Sequence, residues 1–398
     1  PQSLSMYKTL SVMTLAQIFA QCGAPIVVLL GGIVGAHLAT DPGLATLPIA
    51  FMIVGVAVSA IPAALLMSRF GRKRCFLASA VSATGAGLLA AYAISIEAFW
   101  LFCAATFLIG SNNAFIQQYR FAVAETVPAE KLGRSLSILM LAGVAAAWLG
   151  PWVAERLHNW SDWGEFSGSF MGLSLLMSIS VLVLAFYENI PLEVKVIDAP
   201  QRPLPRILAQ PTFLLAASAG AVAYAMMSLI MTATPVSMHQ IDHFNLSDTT
   251  WVIQSHVMAM FLPSLFSGLL IDRVGPTRVI LLGLVLMVAC LCVAYVDRHL
   301  LHYWISLVLL GIGWNFLFLG GTTLLTSTYQ PAERFKVQAL NDFLIFSLQA
   351  MAALGSGYIL LSYGWHALLY VCVPLLLAMV VILWQTRGQS AAITPRAV

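Results

Sequence analysis

Long runs of apolar residues recur from one end of the chain to the other, and short polar segments separate them. A helix that crosses a bilayer needs roughly 20 mostly apolar residues, and each run is long enough to supply them. The pattern therefore predicts an all-α membrane protein with twelve transmembrane helices, which we call spans 1 to 12. The predicted spans are 10–36, 44–67, 75–95, 98–122, 134–157, 168–187, 212–236, 250–271, 277–296, 301–327, 338–361 and 366–385.

The polar segments between the runs alternate in charge. Lys and Arg concentrate in both tails and in every second loop, whereas the opposite loops hold Arg156 and Arg298. Cytoplasmic loops of membrane proteins carry an excess of basic residues. The distribution predicts a bacterial inner-membrane protein with an even number of spans and both termini in the cytoplasm. The first run is long enough to be a true span and not a cleaved signal peptide.

Composition agrees with a lipid environment. Of 398 residues, 60% are hydrophobic and 9% are charged, whereas soluble domains carry about 25% charged residues. The six cysteines lie inside or at the ends of predicted spans, which favours small buried side chains over structural disulfides. No nucleophile–base pair, phosphate-binding loop or soluble catalytic domain is visible. We therefore expect neither an enzyme nor a nucleic-acid-binding protein, and no permanently bound cofactor.

The two halves of the chain repeat each other with an offset of 203–204 residues. The matching motifs are Arg69-Phe70-Gly71 with Arg273-Val274-Gly275, Pro128-Ala129-Glu130 with Pro331-Ala332-Glu333, and Gly110-x-Asn112 with Gly313-x-Asn315. Internal repeats are typical of transporters, whose substrate site lies near the membrane midplane between the repeats. We predict six-helix bundles at 1–190 and 211–398, joined by a proline-rich cytoplasmic linker at 191–210.

One loop motif resembles the signature of the major facilitator superfamily. It lies between spans 8 and 9 and reads Gly268-x-x-x-Asp272-Arg273-x-Gly275-x-x-Arg278. The first-half copy keeps Arg69, Gly71 and Arg72 but has Ala64 and Ser68 in place of the usual Gly and Asp. The resemblance implies two pseudo-symmetric six-helix bundles that transport by alternating access. It also implies that these loops close the cytoplasmic side through a tight glycine turn and charge pairs, less firmly in the first half.

Ionisable residues inside a span are costly and therefore indicate function. All sixteen acidic residues fall in loops or near predicted span ends, including Glu125 and Asp342. That placement argues against a proton-coupled drug exporter. Arg120 is the one basic residue well inside a span, in span 4. It is either the counter-charge of an anionic substrate or a structural residue that reaches the cytoplasm or pairs with Glu125.

Spans 7 and 8 carry a set of soft metal ligands. Met227 and Met231 lie one helical turn apart in span 7, as do His256 and Met260 in span 8, so each pair shares a helix face. Thioethers prefer Cu(I) to harder ions, and imidazole also binds copper. Each motif alone is explained by packing, because methionine fills gaps in apolar helices and a histidine can bond a neighbouring helix.

Further sulfur and imidazole groups extend this pattern. Under the repeat, Cys22 corresponds to Met226 and Met52 to His256, so the first half also carries sulfur at these positions. The loop after span 7 contains three candidate ligands for capturing a metal on the outer side. They are Met238, His239 and His243.

The paired motifs Met227-x-x-x-Met231 and His256-x-x-x-Met260 resemble those of the CcoA-like bacterial copper importers. The resemblance implies copper import for cytochrome c oxidase assembly, with these four residues carrying the ion, and a cytoplasmic copper chaperone as acceptor. We expect a monomer in the lipid bilayer. Relatives of this group carry riboflavin or other small solutes, so the alternative is an aromatic or anionic organic cargo. Its contacts would be Asn112, Gln117, Gln118, Arg120, Trp314, Asn315 and Phe316.

Overall fold

The computed structural model describes residues 2–41, 44, 47–189 and 200–390, and these form helices and loops with no strand. The helices of the first half are α1 (Gln2–Ala20), α2 (Gly23–Leu38), α3 (Leu47–Phe70), α4 (Arg72–Ser95), α5 (Phe99–Ile116), α6 (Tyr119–Ala124), α7 (Leu132–Leu157) and α8 (Ser167–Leu184). Those of the second half are α9 (Leu204–Leu208), α10 (Pro211–Pro235), α11 (Leu246–Phe261), α12 (Ser267–Val274), α13 (Pro276–Val296), α14 (Leu300–Leu325), α15 (Arg334–Tyr363) and α16 (Trp365–Ser390).

The helices confirm the predicted twelve-span fold. Within the described residues, eleven helical segments are long and apolar enough to cross a membrane, and a bent pair brings the number to twelve. That pair is Trp251–Leu265 followed by Ser267–Val274, which meet at 47°. Pro263 lies in the short 3-10 helix at the bend. Proline lacks the amide hydrogen that a continuous helix needs there, which accounts for the break.

Two compact units make up the chain. The first contains Pro1–Glu193 together with Gln338–Ala350, and the second contains Val194–Val337 and Met351–Val398. Residues 338–350 of α15 thus belong to the first unit, although the repeat placed all of 211–398 in the second bundle. Residues 190–199, which include the first part of the predicted linker, lie outside the described residues, so the 191–210 linker stays a prediction.

Close helix contacts in the first unit depend on glycine. A Cβ on Gly110 of α5 would collide with the carbonyl oxygen of Met52 in α3, and a Cβ on Gly55 of α3 would collide with the carbonyl oxygen of Phe107. Small residues let transmembrane helices approach to backbone contact. This contact buries Met52 between α3 and α5, where its backbone helps to set the packing.

In the second unit, α10, α11 and α13 all pack along α14. Gly311 lies on the α14 face that meets α11, because a Cβ there would come within 2.7 Å of the His256 carbonyl oxygen. Helix α14 is therefore the central element on which the neighbouring helices place their side chains.

The end of the linker is attached to the second unit by an ion pair. Arg202 binds the buried carboxylate of Glu333 with Nη2–Oε2 and Nε–Oε1 distances of 2.6 and 2.9 Å. The Lys336 ammonium donates to the Arg202 carbonyl oxygen at 2.8 Å. The hydrogen bond with Glu333 raises the pKa of the Arg202 guanidinium above its ordinary value. These contacts fix the segment that leads into α10.

Candidate functional site

Four aromatic rings form a cluster in the second unit. The Trp314 indole stacks on Phe318, with centroids 5.1 Å apart and an interplanar angle of 21°. Tyr224 of α10 meets Trp314 edge-on at 5.4 Å and Phe318 at 5.2 Å. Phe261, the last residue of α11, meets Trp314 edge-on at 5.6 Å. All four side chains are buried. We call Tyr224, Phe261, Trp314 and Phe318 the aromatic cluster.

The sequence indicated only part of this cluster. Trp314 was a predicted stacking residue, but Phe316 lies apart from the cluster and packs edge-on against Phe266 at 6.0 Å. The spacing Trp314-x-x-x-Phe318, which places two rings on one helix face, was an available signal. Tyr224 and Phe261 join through tertiary packing that no spacing in the chain reveals.

His256 is fully buried in α11, and its ring has a defined tautomer. Nδ1 lies 2.8 Å from the carbonyl oxygen of Leu307 in α14. Because a carbonyl can only accept, Nδ1 carries the hydrogen and Nε2 presents a lone pair. Nε2 has no hydrogen-bond partner among the described residues. A protonated ring would bury a charged Nε2–H with no acceptor, which is costly. The geometry therefore favours a neutral, oriented imidazole whose Nε2 is available as an acceptor.

The methionines of the predicted copper set differ in burial. Met227 and Met260 are buried and Met231 is half-buried. The Met260 carbonyl oxygen accepts a hydrogen bond from Asn315 Nδ2 at 2.7 Å. In the part of the chain that the structure describes, no group of three or more His, Cys, Asp or Glu side chains could hold a metal ion. Copper binding by Met227, Met231, His256 and Met260 stays a prediction.

The accessory sulfur and imidazole residues lie in separate environments. Cys22 sits at the break between α1 and α2 and donates from Sγ to the Ile18 carbonyl oxygen at 3.1 Å. Met238 is fully buried, whereas His243 is exposed with a φ of +60°. The His239 side chain lies outside the described residues. The predicted capture of metal by this loop also stays a prediction.

The twin asparagines make different contacts, although the repeat equates them. Asn112 accepts a hydrogen bond from Ser79 and donates to the Met177 sulfur at 3.8 Å. Asn315 donates to the Met260 carbonyl oxygen and to Ser264 Oγ, at 2.7 and 2.8 Å. Both amides thus join neighbouring helices, which is a packing function. Asn315 Oδ1 is buried with no hydrogen-bond partner among the described residues. Contact of either asparagine with a cargo stays a prediction.

Arg120 pairs with Asp342 in the first unit, and not with Glu125, which was one of the alternatives that the sequence left open. Glu125 instead binds Arg72 through Oε1–Nη2 and Oε2–Nε distances of 2.6 and 3.1 Å. Arg120 forms an ion pair with Asp342, whose second oxygen accepts from Gln118 at 2.8 Å. Asp342 is also no edge residue, because α15 begins at Arg334, eight positions earlier, and buries the carboxylate.

A continuous polar network results in the first unit. Arg72 donates from Nη1 to Gln118 Oε1 at 3.3 Å, and from Nη2 to Gln338 Oε1 at 2.9 Å. Gln118 therefore links the Arg72–Glu125 pair to the Arg120–Asp342 pair. Two buried cations meet two carboxylates, so the network is close to electrically neutral. Arg120 has a charge partner already, which weakens its predicted role as counter-charge of an anionic cargo.

The two copies of the loop motif differ in their surroundings. Gly71 and Gly275 both take positive φ, +82° and +88°, so each makes the tight turn that favours glycine. Arg72 is buried in the network, whereas Asp272 and Arg273 are exposed. Arg69 is exposed beside the Phe70 ring, and Gly268 is buried. In this structure the less complete first copy supplies the buried cation.

Known proteins resemble the chain over nearly its whole length. The family model described as Major Facilitator Superfamily matches residues 12–239 and 216–398. The riboflavin transporter RfnT of Brucella anthropi is 35% identical over 392 residues, covering 97% of each chain. The uncharacterized MFS-type transporter YddS of Bacillus subtilis is 28% identical, over 96% of this chain and 91% of its own.

Two solved structures share the fold. FucP, a transporter of the Major Facilitator Superfamily in the outward conformation, gives a TM-score of 0.72 at 14% identity. The match covers 97% of this chain and 99% of the FucP chain. The human organic anion transporter MFSD10 gives a TM-score of 0.70 at 12% identity. The match covers 95% of this chain and 99% of the MFSD10 chain. Identities this low indicate a shared architecture and carry no information about the cargo.

Proposed function

The chain belongs to the Major Facilitator Superfamily, and from that premise we propose that its cargo is riboflavin or a closely similar flavin. Membership makes it a multi-pass membrane carrier, and carriers of this family are generally not enzymes. The leading sequence prediction, copper import, receives no support from the relatives. The alternative prediction, a small aromatic solute, agrees with the riboflavin transporter that is 35% identical.

The aromatic cluster is the observation that carries this proposal. The flavin ring system is flat, fused and aromatic, and it binds well against offset or edge-on aromatic side chains, each pair contributing about 0.5–1.5 kcal/mol beyond burial. Small-molecule sites are mostly apolar, with few polar groups. Tyr224 and Trp314 lie near the middle of α10 and α14. Carriers bind their cargo at that depth.

The test is riboflavin uptake by a riboflavin-auxotrophic bacterium without its own importer. Cells with the wild-type protein should grow on limiting riboflavin and accumulate the labelled vitamin. Trp314→Leu should lower uptake at least tenfold, because it removes the ring that contacts three others. Phe316→Leu is the matched control and should retain uptake, since Phe316 lies outside the aromatic cluster. No uptake by wild type at normal membrane level would contradict the proposal.

A second candidate, copper import, is favoured by the His256 tautomer. Metal-binding histidines usually donate their other ring N–H to a carbonyl or carboxylate, as His256 does to Leu307. Met227→Leu with Met231→Leu would remove two thioethers while nearly keeping side-chain volume. If copper is a cargo, wild-type cells should accumulate it and this double variant should not. Equal copper content in cells with and without the wild-type protein would exclude the candidate.

The charge distribution supports an orientation in the membrane. We propose a bacterial inner-membrane protein with both termini in the cytoplasm, because basic residues concentrate in the tails and alternate loops. We also propose that it acts as a monomer. Alkaline phosphatase fused to the C-terminus should then be inactive, and a cytoplasmic reporter there should be active. The opposite pattern would reverse the proposed orientation.

A further inference from the structure

One face of α14 is lined by α11 over two helical turns. Leu307, Gly311 and Trp314 are spaced four and three residues apart, so they share this face. Leu307 meets His256, Gly311 lies against the His256 carbonyl, and Trp314 meets Phe261. We call this contact, from His256 and Leu307 to Phe261 and Trp314, the α11–α14 seam.

Besides Asn315 Oδ1, whose amide nitrogen already binds Met260 and Ser264, two buried polar atoms at the α11–α14 seam lack a hydrogen-bond partner among the described residues. One is His256 Nε2, an acceptor because Nδ1–H is bound to Leu307. The other is Trp314 Nε1–H, which can only donate. Buried polar groups in native proteins are almost always paired, so each exception requires an explanation. An acceptor and a donor in one seam are complementary to a ligand that offers both.

The distance along the seam fits a fused ring system. His256 and Phe261 are five residues apart on α11, a rise of about 7.5 Å. Both side chains reach α14, His256 at Leu307 and Phe261 at Trp314, so a flat three-ring heterocycle lying along the seam would contact the aromatic cluster with one part and His256 with another. Riboflavin offers ring carbonyls and ring nitrogens as acceptors, and one imide N–H, at N3, as a donor.

We propose that His256 determines specificity by accepting a hydrogen bond from the imide N3–H of the cargo, while Trp314 Nε1–H donates to a ring acceptor. This inference rests on the proposed function and names the atoms that would recognise the flavin by hydrogen bonding. The neutral imidazole, held by Leu307, accepts and does not donate at Nε2. A cargo with a methyl group at N3 has no hydrogen to give and leaves Nε2 unpaired. A site built to pair a polar atom rejects the analogue that lacks its partner.

The experiment compares uptake of riboflavin and N3-methylriboflavin by three proteins. Wild type should prefer riboflavin by about tenfold in kcat/KM, the effect of one buried hydrogen bond. His256→Leu should take up both compounds within about twofold of each other, because neither finds an acceptor. Trp314→Phe should lower uptake of both flavins but keep the preference, since it removes the donor and retains the acceptor.

The outcomes separate this inference from the proposed function. If His256→Leu transports riboflavin with the wild-type preference, the inference is wrong and the flavin function stands. If wild type takes up neither compound, both are wrong. If His256→Leu fails to reach the membrane, the inference is tested by measuring the affinity of purified wild-type protein for riboflavin and for N3-methylriboflavin. A tenfold weaker affinity for N3-methylriboflavin supports the inference, and equal affinity overturns it.

Discussion

The buried ion pair between Arg120 and Asp342 gives the sharpest prediction about stability. Their side chains are 7% and 1% exposed, so neither charge has solvent to stabilise it. Asp342 also accepts hydrogen bonds from Gln118 at 2.8 Å and Asn341 at 3.2 Å. Substituting either charged residue leaves the other charge buried without its main partner. Breaking a buried pair in this way costs about 3–5 kcal/mol.

The two single variants should differ. In Arg120→Gln, the Asp342 carboxylate keeps two amide donors and can become neutral by binding a proton. In Asp342→Asn, Arg120 stays charged, because a guanidinium does not release its proton in proteins. We therefore expect Asp342→Asn to lose about 4 kcal/mol and Arg120→Gln about 2–3 kcal/mol. The double variant removes both charges and should recover at least about 2 kcal/mol relative to the sum of the singles.

The assay is denaturant unfolding of the purified proteins in one mild detergent, with the monodisperse fraction measured alongside. Glu188→Gln is the control, because the Lys8–Glu188 pair is exposed and should leave the unfolding midpoint unchanged. Single variants as stable as wild type would contradict the reasoning. So would a double variant that loses the full sum of the singles, since the two charges would then not be coupled.

Three further predictions concern helix packing, the linker and a loop. Gly110→Ala should abolish accumulation of folded protein in membranes, because the added Cβ would collide with a backbone carbonyl of α3. Gly85→Ala is the control and should accumulate normally, since a Cβ there has no neighbour within 4 Å. Arg202→Ala should lower the free energy of unfolding by about 3 kcal/mol, since it leaves the Glu333 carboxylate buried without its cation; unchanged unfolding would refute this. His243→Gly should raise the melting temperature slightly, because residue 243 has a φ of +60° that glycine adopts without strain. A lower melting temperature of the variant would contradict this prediction.

Hydrophobic patterning predicted the fold well. The apolar runs gave twelve spans, and the family match confirms the resemblance seen in the loop motif Gly268 to Arg278. Transmembrane helices can be predicted from sequence because backbone polar groups in lipid must be hydrogen-bonded within the protein, which favours helices. Each such helix is a long, continuous run of apolar residues. The bend between spans 251–265 and 267–274 was not predicted, although Pro263 marks it.

Side-chain partners were less predictable. For Arg120 the sequence offered a pair with Glu125, five residues away, as one of several alternatives, but the charge partner in the structure lies 222 residues away on α15. Asp342 was placed at a span edge because the predicted span began at 338, whereas the helix begins at Arg334. Such pairs depend on which helices meet, and no local pattern encodes that. The aromatic cluster was missed in part for the same reason, since Tyr224, Phe261 and Trp314 come from three helices.

The soft-ligand motifs show how one pattern supports two cargoes. Met227 and His256 match a copper set by residue type and spacing. The same His256, with Nδ1–H bound to Leu307, also presents an acceptor that suits an imide. Residue identity leaves this choice open, because an imidazole lone pair can coordinate a metal ion or accept a hydrogen bond. The relative with 35% identity and the aromatic cluster favour the flavin.

Transport by the purified protein tests the central claim most directly. The wild-type protein, reconstituted in liposomes of bacterial phospholipid, should accumulate labelled riboflavin with saturable kinetics, and excess unlabelled riboflavin should compete. Trp314→Leu, reconstituted at the same density, should reduce the rate at least tenfold, and Phe316→Leu should not. Riboflavin that enters no faster than in protein-free liposomes, with the wild-type protein folded and incorporated, would contradict the account.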